Sequence, residues 1–113
     1  MVQCVKVKSA DTFCPMGPYL VTKDEIPDVQ KLNLSLDVNG QRMQTGNTSK
    51  MIFTINFILS YLSNFMSLQP GDIVTTGTPP GVGMGKKPSL YLKSGDEMRL
   101  VIDQLGNQHQ KVK

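Results

Sequence analysis

At 113 residues the chain fits one domain, since domains commonly run to about 100–150 residues and a domain this small buries roughly 60–70% of its unfolded surface. Its 39% hydrophobic content suits a globular fold with a modest core that association would enlarge. The formal charge of +3 comes from 12 scattered Lys and Arg, grouped only at Lys86-Lys87 and Lys111-Val112-Lys113, so the basic stripe with interleaved aromatics of a nucleic-acid binder is missing and a small anionic substrate is the better match.

In chain order, the first pattern is Val5-Lys6-Val7-Lys8, whose alternation puts Lys6 and Lys8 on the same side of a strand. Two cations there suit a dicarboxylate or 2-oxo acid; a solvated strand face is the plainer reading of the same residues. Cys4 and Cys14 are too few for a disulfide framework, and no apolar leader precedes them, which together predict a cytosolic, reduced chain. Lys23-Asp24-Glu25-Ile26-Pro27-Asp28 gathers three carboxylates in what reads as a solvated turn.

Leu32, Leu34, Leu36 and Val38 alternate with Asn33, Ser35 and Asp37, the period of a half-buried strand. Asn39-Gly40 then accepts the positive φ angles of a tight type I′ turn, so residues 41–45 return as the second strand of a hairpin. Asn47-Thr48-Ser49 matches a glycosylation acceptor, but in a cytosolic chain it reads as a turn held by its own side chains. Thr54 is placed to cap a helix over about 54–66, with Ile55, Ile58, Leu59, Leu62, Phe65 and Met66 on one face. Asn56, Ser60, Ser63 and Asn64 interrupt that apolar stretch, which falls short of the roughly 20 apolar residues of a membrane span.

After Gln69-Pro70-Gly71-Asp72, the β-branched run Ile73-Val74-Thr75-Thr76 predicts a strand. It leads into Gly77-Thr78-Pro79-Pro80-Gly81-Val82-Gly83-Met84-Gly85, a loop stiff at its prolines and open to close backbone approach at its glycines. Neither nucleotide-binding glycine pattern fits a strand-to-helix transition here, and Lys86-Lys87-Pro88 begins no helix. A loop that offers backbone N–H groups and Thr hydroxyls to a carboxylate fits better. Met98, Leu100 and Ile102 open a last hairpin, with its turn near Gly106-Asn107 and residues 108–112 returning. With one His, His109, and neither Glu-x-Glu nor Cys-x-x-Cys, the chain holds no evident metal site of its own.

Several segments, in order, resemble the fumarylacetoacetate hydrolase family across nearly the whole chain from about Gln3. They are Lys8-Ser9-Ala10-Asp11-Thr12-Phe13, Cys14-Pro15-Met16-Gly17-Pro18, Asp24-Glu25-Ile26-Pro27-Asp28, Val38-Asn39-Gly40, Gly46-Asn47-Thr48-Ser49-Lys50-Met51-Ile52-Phe53, Ser60-Tyr61-Leu62-Ser63, Pro70-Gly71-Asp72-Ile73 and Thr76-Gly77-Thr78-Pro79-Pro80-Gly81-Val82-Gly83. Within the family, Phe65-Met66-Ser67-Leu68-Gln69-Pro70-Gly71-Asp72 and Gly81-Val82-Gly83-Met84-Gly85 look most like the diketo-deoxy-fuconate or rhamnonate hydrolases and ureidoglycolate lyase-like members.

The resemblance implies an α+β, mainly β fold: a truncated mixed β-sandwich roll of the C-terminal domain type, spanning 1–113, with one main helix and a homodimeric or larger assembly. It also implies hydrolase or lyase chemistry on carbon–carbon bonds of 2-oxo (diketo) acids, or the isomerase/decarboxylase chemistry of similar members, with Mg²⁺ or Mn²⁺ in full-length members acting as a Lewis acid. The family's Glu-x-Glu and Asp ligands have no matching position here, so no cofactor is expected on this chain alone. Lys8 matches the family's active-site lysine, which would stabilise enolate or carboxylate charge. Gln3 aligns with a substrate-side glutamine, and Thr76, Gly77 and Thr78 with the loop that holds the substrate carboxylate; Cys4 departs from the family's usual Trp. Two rival readings remain open: metal-independent hydrolysis of activated or simple esters, with a Ser or Thr nucleophile and His109 or Lys8 as base, and a non-catalytic β-roll that binds anions or a partner chain.

Overall fold

The computed structural model describes residues 9–113. Its frame is a four-stranded antiparallel sheet in the order β2-β1-β3-β4, formed by β1 (Asn33–Val38), β2 (Gln41–Asn47), β3 (Glu97–Ile102) and β4 (Gly106–Lys111). The first hairpin closes at Asn39 (φ 50°) and Gly40 (φ 77°), the left-handed pair that Asn-Gly was expected to supply, with Val38 opposite Gln41. β2 runs two residues further than its alternation predicts. Its register slips between Leu36, opposite Gln44, and Asp37, opposite Arg42, which leaves Met43 as the extra residue of a β-bulge.

β1 and β3 are far apart in sequence and pair from Leu34 with Ile102 to Val38 with Met98. Side chains secure this join at both ends. Asn39 Nδ2 donates to Asp96 Oδ1 (2.9 Å) while Asn39 Oδ1 accepts from Glu97 N (2.9 Å). At the other end, Asn33 donates to Asp103 Oδ2 from both N (3.0 Å) and Nδ2 (2.8 Å).

The second hairpin turns earlier than expected. Residues 103–105 form the turn, with Gln104 at φ 63°, and Gly106 (φ 80°) already begins β4. A side chain at Gly106 would be strained by φ 80° and would push the Tyr19 ring aside, since a Cβ would lie 2.6 Å from Tyr19 Oη.

The helix α1 (Ile55–Ser63) starts as predicted, with Thr54 Oγ1 accepting from Phe57 N at 3.2 Å. Gln30 holds the same end: its Oε1 accepts from Ile55 N (2.7 Å) and its Nε2 donates to Thr48 O (2.8 Å). The helix ends at Ser63, not at residue 66, where Asn64 donates from Nδ2 to Ser60 O (3.0 Å) and closes the last turn. Ile55, Ile58 and Leu62 are half-buried as expected, but Leu59, Phe65 and Met66 are exposed. No helix among the described residues is long and apolar enough to cross a membrane.

Residues 73–76 do not form the expected strand. β-branched residues favour a strand only where a neighbouring strand completes the ladder, and among the described residues none does. Asn47-Thr48-Ser49 is a local turn as read, with Asn47 Oδ1 accepting from Ser49 N at 2.9 Å. Lys23–Glu25 is a single 3-10 turn; Asp28 beyond it accepts from Gln30 N (2.9 Å) and pairs with Lys31 (3.1 Å), so these carboxylates serve the turn.

Candidate functional site

The glycine-rich loop is anchored to the sheet by a residue that sequence reasoning passed over. Gln44 on β2 donates from Nε2 to Thr78 Oγ1 (3.0 Å) and Pro79 O (2.7 Å). The bulge at Met43 makes this possible, because one extra residue re-aims the side chains that follow it. Contact between loop and sheet is backbone-close: a Cβ on Gly81 (φ +111°) would run into Met43 O, and one on Gly46 would sit 2.9 Å from Pro79 Cβ. Gly83 is equally confined, with Leu90 O occupying the space that a Cβ there would need.

Between sheet and loop lies an open cavity of about 550 Å³. The strands contribute Leu36, Val38, Met43 and Met98 to its walls, and the loops Val82, Leu90 and Leu92. Among these apolar walls are polar groups of Asn39, Gln41, Gln44, Thr78, Lys93 and Asp96. Thr78 is therefore the predicted site residue that reaches the cavity. Thr76 and Gly77 precede it in the loop without lining the cavity; Gly77 has φ +91° and open space on its Cβ side. Gln3 and Lys8 lie outside the described residues.

Lys93 and Asp96 also went unnoticed in the sequence, although Lys93-Ser94-Gly95-Asp96 has the composition of a turn. Asp96 Oδ2 accepts from Lys93 N (2.8 Å) and its other oxygen from Asn39. The Asn39 side-chain bond, then the Lys93 backbone N–H, hold the Asp96 carboxyl below its ordinary pKa. It stays ionised and ties the cavity rim to the β1–β2 turn.

Thr78 Oγ1 accepts from Gln44, so its own proton remains available to donate to a ligand oxygen. The arrangement suits holding a small acid by hydroxyl and backbone donors. It does not favour ester hydrolysis with His109 as base: His109 faces Glu97 across β4 and β3 (3.3 Å) and is absent from the cavity wall. Among the described residues no three His, Cys, Asp or Glu side chains gather on one point, so these residues do not compose a divalent-cation site.

A helix-bearing antiparallel sheet thus packs a Thr-Gly-Thr-Pro loop over its bulged strand, and this arrangement is shared with one family. The family model described as fumarylacetoacetate (FAA) hydrolase C-terminal matches residues 1–113, and the chain belongs to that family. It is 58% identical over 111 residues to a 2,4-didehydro-3-deoxy-L-rhamnonate hydrolase from Sphingomonas sp. (strain SKA58), covering 97% of this chain and 39% of the relative. Among solved structures, the fumarylacetoacetate hydrolase of the psychrophile Exiguobacterium antarcticum superposes with a TM-score of 0.92 at 41% identity, over 96% of this chain and 39% of that one. The maleylpyruvate hydrolase of Sphingobium sp. SYK-6, solved in complex with manganese(II) ion and pyruvate, gives a TM-score of 0.82 at 41% identity, over 90% and 36% of the two chains. The chain thus spans under two fifths of the length of each of these relatives.

Proposed function

We propose that this chain carries the carboxylate-binding part of a cytosolic hydrolase that acts on carbon–carbon bonds of small 2-oxo acids, with a deoxy-diketo sugar acid as the substrate class. The observation that carries the reading is the Gln44–Thr78 hydrogen bond, which fixes the loop at the mouth of a cavity and leaves a hydroxyl proton free for a ligand. Family membership and the rhamnonate hydrolase relative support the substrate class. The pyruvate and manganese(II) of the Sphingobium structure support a 2-oxo acid, and a metal, in full-length members. The described residues assemble no cation site, and the roles proposed for this chain fall to its own side chains.

In this reading Thr78 donates from Oγ1 to one carboxylate oxygen, and Lys8 brings the full positive charge that holds enolate or carboxylate character. Charge-assisted hydrogen bonds contribute more than neutral ones. Lys8→Ala should therefore weaken binding by about 1.5–3 kcal/mol and Thr78→Val by about 1 kcal/mol. Without chelation the total affinity for oxalate is expected near ~1 mM. NMR titration of oxalate into the wild type and both variants tests this. Shifts gathered at residues 76–79 with the stated order of loss support the reading; shifts elsewhere, or a Lys8→Ala chain that binds as well as the wild type, end it.

A further inference from the structure

Asn39-Gly40 is the only asparagine–glycine pair in the chain; Asn33, Asn47, Asn56, Asn64 and Asn107 are followed by Leu, Thr, Phe, Phe and Gln. The pair is exposed at the tip of the first hairpin, and a Cβ on Gly40 would meet nothing within 4 Å. A glycine N–H with no side chain beside it is the least hindered backbone nucleophile for the side-chain amide that precedes it, which makes such pairs the chemically labile asparagines of a chain. Here that amide is tied down. Its Nδ2 donates to Asp96 Oδ1 and its Oδ1 accepts from Glu97 N, both at 2.9 Å, while the Asn39 backbone N–H donates to Glu97 O at 2.9 Å.

We propose that Asn39 is a site of spontaneous deamidation that the clasp to Asp96 and Glu97 holds in check, and that its conversion opens the cavity rim irreversibly. The proposal goes beyond the carboxylate-binding reading and does not depend on it. In the reaction, Gly40 N attacks Asn39 Cγ. A C–N bond forms, the Cγ–Nδ2 bond breaks, and Nδ2 takes up the Gly40 amide proton and leaves as ammonia. Water then opens the succinimide ring at either carbonyl to give aspartate or isoaspartate, with nothing oxidised or reduced. Ring closure expels the nitrogen bound to Asp96 and turns Cγ toward Gly40, so the side-chain bonds of the clasp must open first. The folded hairpin is therefore the protected state, and local opening the reactive one.

Neither product can rebuild the clasp. A carboxylate at position 39 has no proton to give Asp96, and it sets two like charges where a 2.9 Å hydrogen bond stood. Isoaspartate also carries its Cβ in the main chain, one atom too many for a two-residue turn in which Val38 stands opposite Gln41. Asn39 and Asp96 both line the cavity, so either product loosens its rim at the end of the β1–β3 join.

Peptide mass spectrometry of the whole chain, held in mildly alkaline buffer, tests the site through the mass gained when an amide becomes an acid. In urea, Asn39 is expected to convert ahead of the other five asparagines, and in the folded wild type it should be slow. Asp96→Ala, with its fold verified by circular dichroism, should speed native conversion about 10- to 100-fold, the effect on an opening equilibrium of losing a hydrogen bond to a charged acceptor. Asp72→Ala removes a similar turn carboxylate, one that accepts from Gln69 N at 2.7 Å, and should leave the Asn39 rate unchanged. Asn39→Asp should lower the melting temperature, and combining it with Asp96→Asn should restore it, because the exchanged pair again sets one amide donor against one carboxylate. That rescue needs no conversion rate, so it decides the matter even where Asp96→Ala does not fold. Equal rates in folded and urea-unfolded wild type, a folded Asp96→Ala chain that converts no faster, or a double variant no more stable than Asn39→Asp would each overturn the proposal.

Discussion

Gln44 shows how little of a site needs to look functional in a sequence. Within Gln41-Arg42-Met43-Gln44 it reads as one polar residue of a returning strand, yet its amide makes two of the bonds that hold the loop. The bulge is what sequence alternation does not reveal: in a regular strand Met43 and Gln44 would point to opposite faces, and here both line the cavity. Gln44→Leu is expected to cost about 1–2 kcal/mol in urea unfolding, with about 1 kcal/mol for each lost neutral hydrogen bond, and to weaken oxalate binding as Thr78 loses its anchor. The loop glycines were legible as a class but not individually. Gly81→Ala forces a Cβ into the Met43 backbone oxygen at φ +111°, whereas Gly77→Ala meets open space and bears only the strain of φ +91°. Gly77→Ala should therefore cost about 1–2 kcal/mol and Gly81→Ala clearly more, enough to separate the two by thermal unfolding.

At the level of elements, local chemistry was readable and long-range pairing was not. Asn39-Gly40 and the Thr54 cap announce themselves because a turn or helix end is decided within four residues. Residues 73–76 have the right propensity, but a strand needs a partner, and propensity does not name one. The Asp96 clasp joins elements 57 residues apart and was invisible for the same reason. It has a consequence for pH. Hydrogen bonds from Asn39 and from the Lys93 backbone lower the folded pKa of Asp96 below its ordinary 3.8. A carboxyl whose pKa is lower folded than unfolded adds stability that is fully present above the unfolded value and is lost as pH falls through the folded one. Asp28, held by the Gln30 backbone N–H and by Lys31, acts in the same direction. Denaturant midpoints should thus be flat above about pH 5 and fall below about pH 4, and Asp96→Asn should make that acidic decline shallower. An unchanged acid slope in the variant would show that the clasp does not contribute.

For the whole molecule, composition foretold a modest core that association would enlarge, and the structure gives that statement a size. A folded monomer of 12.5 kDa exposes roughly 6,200 Å². This chain exposes 9503 Å², and its radius of gyration of 15.6 Å exceeds the roughly 13 Å of a compact domain of this length. Only Ile26 and Leu32 count as buried apolar residues among those described. So much uncovered surface leaves the isolated chain little stability of its own, and stability then becomes linked to whatever covers it. If a second copy does so, dissociation accompanies unfolding and the melting temperature depends on protein concentration. A tenfold rise in concentration contributes about 1.4 kcal/mol per dimer, which is shared by two chains whose unfolding entropy is about 2.1 cal/mol/K per residue. The melting temperature should therefore climb by about 2–4 °C for each tenfold increase in concentration. Scanning calorimetry of the wild type at several concentrations measures that slope. A wild-type melting temperature that does not move with concentration would mean that the chain carries its own stability despite its exposed surface.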